Sequence, residues 1–348
     1  AWAPGLQVDG SLTTPDPVKL HALLAEMAKH GATHLAMEAS SHGLHQYRMD
    51  GVKVSVAAFT NLTRDHLDYH GSMAAYLAAK LRLFSDVLAT GGVAVLNADS
   101  TEFHAFEAAS KLRSHMVMSF GRDGATIKLI DHRVEGDAQR FTIAVFGKKY
   151  EVRLPLAGAF QVSNALCALG CVLGAGAEPD RAVAALESLR GVPGRMEQAG
   201  RHSSGAPVYV DYAHTPDALE TVLVNLRPHV GNGGRLVVVF GCGGDRDKGK
   251  RRLMGERAQS LADIVYVTDD NPRTEVAAEI RAQVMQGCPR ATEIGDRADA
   301  IATAIASLKG GDVLLIAGKG HESGQIVGTK VLPFSDADVA RAALGART

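Results

Sequence analysis

The first clear periodic stretch begins at Asp16-Pro17, an N-cap residue followed by a first-turn proline. Leu20, Leu23, Leu24 and Met27 then recur at helical spacing until Gly31 stops the run. Leu35-Ala-Met37 reads as a short buried strand with Glu38-Ala-Ser-Ser-His42 at its carboxyl end. Val54–Phe59 repeats that arrangement, with Thr60-Asn61 and Arg64-Asp65-His66 beyond it. A helix is expected from about Met73 to Leu88, and Val93–Leu96 reads as the next strand, ending at Asn97-Ala98-Asp99. Between about Met116 and Leu156 the pattern changes to alternation (Thr126–Ile130, Phe141–Val145, Tyr150–Leu154), which predicts a small antiparallel patch. Val162 to about Gly174 is again helical.

Near Leu189–Glu197 the run Arg-Gly-Val-Pro-Gly-Arg interrupts the periodicity, so the domain boundary is placed there, giving 1–190 and 191–348. The second half alternates strongly. Expected strands are Val208–Val210, Leu236–Phe240, Ile264–Val267 and Val313–Ile316; expected helices lie near Pro216–Leu226, Gly255–Ala262, Ala277–Met285 and Ala298–Leu308. That order implies a parallel, doubly wound α/β sheet.

At 348 residues, two domains are the natural expectation. Hydrophobic content of 46%, charged content of 22% and a net charge of -1 describe a globular chain with no bias toward nucleic acid or an anionic membrane. No apolar run approaches the roughly 20 residues a spanning helix needs. Cys167, Cys171, Cys242 and Cys288 make no CxxC pair, which fits a reducing cytoplasm.

Polar residues concentrate where the predicted strands end. In the first half these are Glu38, His42, His66 and His70, with Lys80 on an otherwise apolar helix face. His66 and His70 lie four apart and would share a face if helical. Loop histidines, a zinc site and a magnesium site are the readings open to them. No third ligand falls at zinc spacing, and a carboxylate with a histidine near a nucleotide better suits magnesium completed by phosphate oxygens and water. Lys80 taken alone would be a snorkelling surface lysine. In the second half four strand ends carry Asp211-Tyr-Ala-His214, Arg246, Asn271 with Arg273, and Lys319-Gly-His321-Glu322. Thr215-Pro216 opens a helix at the same edge, where unpaired N–H groups favour an anion. Two arginines on adjacent strand ends suit a ligand carboxylate or phosphate.

Taken together, Glu38–Leu44, Thr60–Gly71, Ala79-Lys80, Gly194–Glu197, Asp211–Leu219, Gly241–Arg251, Asp270–Arg273 and Gly318–Glu322 resemble the Mur ligase family, in particular its diaminopimelate-adding branch. The resemblance runs along nearly the whole chain. It implies a central P-loop-type ATPase domain, mostly parallel with the antiparallel patch, followed by a C-terminal Rossmann-like doubly wound α/β domain. The implied reaction is ATP-dependent amide bond formation in peptidoglycan precursor synthesis, hence cell wall biogenesis, cell shape and division. A carboxylate of UDP-MurNAc-L-Ala-D-Glu is phosphorylated to an acyl phosphate, and the amine of meso-diaminopimelate displaces phosphate.

By the same resemblance Glu38, His66 and a carbamylated Lys80 are the catalytic and Mg2+-holding positions. Asn164, Arg195, Asp211 and His214 meet ATP. Thr13, Thr14, Ser40, Gln46 and Arg48 hold the UDP-sugar peptide. Arg246, Asp270, Asn271, Pro272, Arg273, Gly318 and Glu322 receive diaminopimelate. Asp-Asn-Pro-Arg is the discriminator, because relatives that add L-lysine generally lack this arginine. The implied protein is a cytoplasmic monomer with small-molecule partners, no nucleic acid and no membrane.

Two features depart from the family pattern. The Gly-Lys-Thr P-loop and the uridine-binding domain lie upstream of the matched region in the family and are missing here, so the chain is expected to be a fragment that is inactive or nearly so on its own. Arg252 replaces a usual proline, with little effect expected. The competing readings are an L-lysine-adding or folylpolyglutamate synthase-like ligase, and a non-catalytic ligand-binding module.

Overall fold

The structure is a computed structural model that describes residues 2–3, 5–8, 12–63 and 65–345. Arg64, named above among the polar strand-end residues, lies outside the described residues. Elements in chain order begin with β1 (Trp2–Ala3), β2 (Leu6–Gln7), α1 (Pro17–Lys29), α2 (Ser41–His45), β3 (Val54–Phe59), α3 (Leu67–His70) and α4 (Met73–Arg82). They continue with β4 (Leu88–Asn97), α5 (Phe103–Leu112), β5 (Met116–Gly121), β6 (Ile127–Glu135), β7 (Ala138–Val145), β8 (Lys148–Leu154), α6 (Phe160–Gly174) and α7 (Pro179–Ala185). The remainder is β9 (Glu197–Arg201), β10 (Pro207–Asp211), α8 (Pro216–Leu226), β11 (Leu236–Phe240), α9 (Gly249–Leu261), β12 (Ile264–Val267), α10 (Ala277–Met285), β13 (Thr292–Glu293), α11 (Arg297–Ala306), β14 (Val313–Ala317), β15 (Gly324–Val327), β16 (Lys330–Pro333) and α12 (Asp336–Gly345).

The residues divide into two compact units. One comprises 1–131, 141–152 and 163–186; the other comprises 132–140, 153–162 and 187–348. In the first, β3, β4, β5 and β6 pair in parallel, and β7 and β8 follow β6 in the strand order. The two-residue links between β6, β7 and β8 leave room only for hairpins, which is the antiparallel patch that the alternating residues predict. Phe59, Phe84 and Phe106 centre the apolar core here, with Phe59 and Phe106 stacked at 3.8 Å.

In the second unit the order is β13-β12-β11-β14-β10-β9, parallel throughout except for β9. Its central strands β10, β11 and β14 are buried along their whole length, which explains their unbroken apolar runs. The α/β class and the doubly wound second half therefore stand as the sequence implies.

Local signals hold where the cause is local. Asp16 accepts the Lys19 N–H at 3.0 Å and Thr215 accepts the Ala218 N–H at 3.3 Å, each capping a helix whose first residue is proline. The expected strand at Leu35–Met37 does not form. The segment is irregular and Leu35 is 47% exposed. So short an apolar segment buries little area, and among the described residues no strand pairs with it to take its main-chain bonds.

Candidate active site

In the first unit, α2 starts at Ser40, whose hydroxyl accepts the Gly43 N–H at 3.1 Å. Buried Thr14 organises the surrounding segment. Its hydroxyl donates to the Glu38 carbonyl at 3.0 Å and accepts the Ser40 N–H at 3.0 Å, while the Ser40 hydroxyl lies 3.1 Å away. Arg48 donates to the Thr14 carbonyl at 2.8 Å and also to the Gln46 side chain, which in turn donates to the Tyr69 hydroxyl at 2.8 Å. Thr14, Ser40, Gln46 and Arg48 are thus one hydrogen-bonded group, and Thr13 sits exposed beside it. Tyr69, which the sequence reading did not single out, ties this group to α3.

Beyond α2, His66 adopts a left-handed backbone (φ 52°), and its N–H donates to Asp65 at 2.7 Å. Its ring lies 4.9 Å from that of His42, and His70 stacks on Tyr76 at 5.1 Å. The Lys80 ammonium stands 5.0 Å from the centre of the Tyr76 ring. Burial lowers the Lys80 pKa below its ordinary value, opposed by the negative charges of Glu38 and Asp65. Burial also lowers the His70 pKa, assisted by His42, His45, His66 and Lys80. Glu38, His66 and Lys80 are therefore within electrostatic reach of one neighbourhood.

Among the described residues no three His, Cys, Asp or Glu side chains converge on a metal position. A carboxylate and an imidazole remain, with an amine that burial pushes toward its neutral, CO2-reactive form. This set fits a magnesium ion whose other ligands come from phosphate and water. Asn164 is an exposed residue of α6 in the same unit.

The second unit presents its polar loops at the carboxyl ends of β10, β11, β12 and β14. Asp211, at the end of β10, is buried and accepts the Met196 and Ala213 N–H groups, both at 2.8 Å. Burial raises its pKa against the pull of those bonds and of Arg195 and His214. The Arg195 guanidinium lies 4.8 Å from the centre of the Tyr212 ring, and the His214 ring donates from Nδ1 to the Tyr212 carbonyl at 2.8 Å. Arg195, Asp211 and His214 thus gather about Tyr212, just ahead of α8.

The loops after β11 and β12 touch at Gly243. A Cβ at this position would lie 2.9 Å from Arg273 Nη1 and 4.0 Å from Arg246 Cγ, so both arginines flank this one glycine. Arg273 has φ 53°, donates from Nη1 to the Gly244 carbonyl at 2.9 Å, and is held through its main chain by Ile326 and Gly328. Arg246 is exposed and donates to the Asp245 carbonyl at 3.1 Å. Pro272 is buried between Asn271 and Arg273.

Asp270 accepts the Asn271 N–H at 2.6 Å. A Cβ at Gly318 (φ 116°) would stand 2.8 Å from its Oδ2, which bars any larger residue there. Asn271 donates to Glu322 Oε2 at 2.9 Å. Asp270, Asn271, Arg273, Gly318 and Glu322 accordingly form one group, with Arg246 at its rim.

Sequence reasoning missed what stands behind these loops. Arg251 is fully buried and pairs with Glu275 at 2.8 Å, holding the Glu275 carboxyl down at about 2. Buried Arg297 pairs with buried Asp336 through two bonds of 2.7 Å and donates to the Asp269 and Ala317 carbonyls. Buried Lys319 joins Asn271 and Glu322. The hairpin β15–β16 supplies Gln325 to the Asp270 carbonyl at 2.7 Å and the Ile326 N–H to Asn271 Oδ1 at 2.8 Å. Apart from Lys319 and Glu322, which lie three apart in a strand-end cluster already visible in the sequence, each partner is distant in sequence, so no local pattern signals it.

Residues 3–172 match the Mur ligase middle domain, and residues 194–320 match the Mur ligase glutamate ligase domain. The UDP-N-acetylmuramoyl-L-alanyl-D-glutamate--2,6-diaminopimelate ligase of Bradyrhizobium diazoefficiens is 54% identical over 99% of this chain and 71% of its own length. That of Rhizobium meliloti is 54% identical over 99% and 70%. A solved structure bearing the same enzyme name superposes with a TM-score of 0.71 at 38% identity, over 96% of this chain and 69% of the other. Mycobacterium tuberculosis folylpolyglutamate synthase, in complex with ADP and AMPPCP, shares the fold with a TM-score of 0.61 at 21% identity, over 84% and 64%.

Proposed function

The chain belongs to the Mur ligase family, and on that premise we propose that it carries the ATP-dependent joining of meso-diaminopimelate to UDP-N-acetylmuramoyl-L-alanyl-D-glutamate. The observation that carries this reading is the Arg273 guanidinium, fixed through Nη1 to the Gly244 and Asn271 carbonyls, with the Asn271 side chain in turn bonded to Glu322. Diaminopimelate is an amino acid with an ammonium and a carboxylate at each end. A guanidinium grips the distal carboxylate, and Glu322 answers an ammonium. Lysine has the same chain without that carboxylate, so it would leave the guanidinium unpaired.

In this reading Thr13, Thr14, Ser40, Gln46 and Arg48 hold the UDP-sugar peptide, and Asn164, Arg195, Asp211 and His214 meet ATP. Arg246, Asp270, Pro272 and Gly318 shape the amino-acid site. Glu38 and His66 hold magnesium, together with Lys80 once its neutral amine has added to CO2 and released a proton. Magnesium, when bound, offsets the charge of phosphate oxygens brought up to a substrate carboxylate. Lys80 suits its part because burial keeps its amine easier to deprotonate. The boundary near residue 190, the monomeric state and a cytoplasmic location belong to the same proposal; among the described residues no helix is long and apolar enough to cross a membrane.

Titration calorimetry with diaminopimelate and with L-lysine tests the reading. The parent chain should prefer diaminopimelate, and Arg273→Ala should weaken diaminopimelate about 10- to 100-fold while leaving lysine unchanged, as loss of a charge-assisted bond worth about 1.5–3 kcal/mol requires. Equal discrimination in parent and variant would sink it.

A further inference from the structure

Lys319 has no exposed surface, and its ammonium lies 3.0 Å from Asn271 Oδ1 and 2.8 Å from Glu322 Oε2. Asn271 donates from Nδ2 to that same Oε2 at 2.9 Å, and its Oδ1 also accepts the Ile326 N–H at 2.8 Å. Every polar atom of the Asn271 amide is thereby assigned, which fixes its orientation. Both donors converge on Oε2. Oε1 of Glu322 has no hydrogen-bond partner among the described residues, on a side chain that is 31% exposed.

Resting on the reading above, we infer that Lys319 is a positioning residue for amino-acid recognition: with Asn271 it occupies Glu322 Oε2, so that Oε1 is the oxygen presented to an ammonium group of the incoming amino acid. Burying a lysine is costly and contributes little net stability compared with an apolar residue of similar size. An anchor alone would not need the charge. A carboxylate with one oxygen held and the other left open does need it, because a charge-assisted bond fixes Oε2 more firmly than a neutral one. Other charged or titratable groups near Glu322 include Tyr212, Arg297 and the adjacent His321, with Asp270, Arg273 and Arg195 beside Tyr212. Among these groups only Lys319 donates a charged hydrogen bond to the carboxylate.

The experiment compares the parent with Lys319→Met and, should that variant not fold, Lys319→Gln, each checked by thermal melting. Calorimetry with diaminopimelate should show tenfold or greater weakening in the variant. A folded variant with parental affinity overturns the inference. If the parent itself binds no diaminopimelate, the proposed function fails, and the inference is judged separately by 13C NMR of the Glu322 carboxylate. Its resonance should shift in the variant, which has lost the ammonium 2.8 Å from Oε2; an unmoved resonance overturns Lys319 as its positioning partner.

Discussion

Single residues in this protein separate what local chemistry announces from what only folding reveals. Arg297 opens α11 after a capping aspartate and looks like any solvated helix residue, yet it is fully buried against Asp336, 39 positions later. Nothing within a helical turn of Arg297 carries that information. The pair also holds the Asp269 and Ala317 carbonyls, so it ties the ends of β12 and β14 from which the Asp270–Arg273 and Gly318–Glu322 loops depart. Arg297→Met should destabilise the second unit by about 3–5 kcal/mol, because it strands a buried carboxylate. Adding Asp336→Leu should recover much of that loss. Urea unfolding of the single and double variants checks both expectations, and a double variant no better than the single would show that the carbonyl bonds dominate.

At the scale of elements, the strands and capped helices were legible because their causes are local: continuous apolar runs for β10, β11 and β14, and Thr215-Pro216 for α8. Leu35–Met37 shows the limit, since a strand also needs a neighbour to bond. The hairpin β15–β16 shows the converse, as four-residue strands with exposed Val327, Val331 and Leu332 give no core-facing pattern to read. It nevertheless supports the candidate amino-acid site through Gln325, Ile326 and Gly328. Ile326→Pro removes the N–H that fixes Asn271 Oδ1. Diaminopimelate affinity should fall about tenfold, the worth of one hydrogen bond of about 1–1.5 kcal/mol. The melting temperature should move little, because the hairpin is largely exposed. A large loss of stability with unchanged affinity would assign the hairpin to the fold instead of the site.

Across the molecule, acid should act through both units in a defined order. Burial lowers the pKa of His70 and His115 in the first unit and of His229 in the second. His229 shows why. Its Nδ1 donates to the Gly136 carbonyl at 2.7 Å, and its Nε2 accepts the Gly158 N–H at 3.0 Å and lies 2.9 Å from the Gln139 amide nitrogen. A proton on Nε2 would face two donors, and Gln139 cannot turn its oxygen toward it without releasing His132. The neutral ring is the one the fold accepts. A histidine depressed in this way contributes stability fully above its ordinary value of about 6.5, and loses that contribution as pH falls from there toward the depressed value. Each such group adds a slope of at most about 1.4 kcal/mol per pH unit. Glu275, held at about 2, adds a second loss that begins only below its usual carboxylate range. Asp211 works in the opposite sense, since burial raises its pKa and its protonated form is the better tolerated. Stability measured in urea should therefore decline between pH 6.5 and 5 and again below pH 4.5. His229→Gln should be about 1–3 kcal/mol less stable at pH 7, for the loss of a buried acceptor with two donors facing it. It should also have a shallower decline between pH 6.5 and 5, because the group that refuses the proton is gone. A parental slope in that variant would move the acid sensitivity to the histidines of the first unit, where His70→Gln would then be the variant that flattens it.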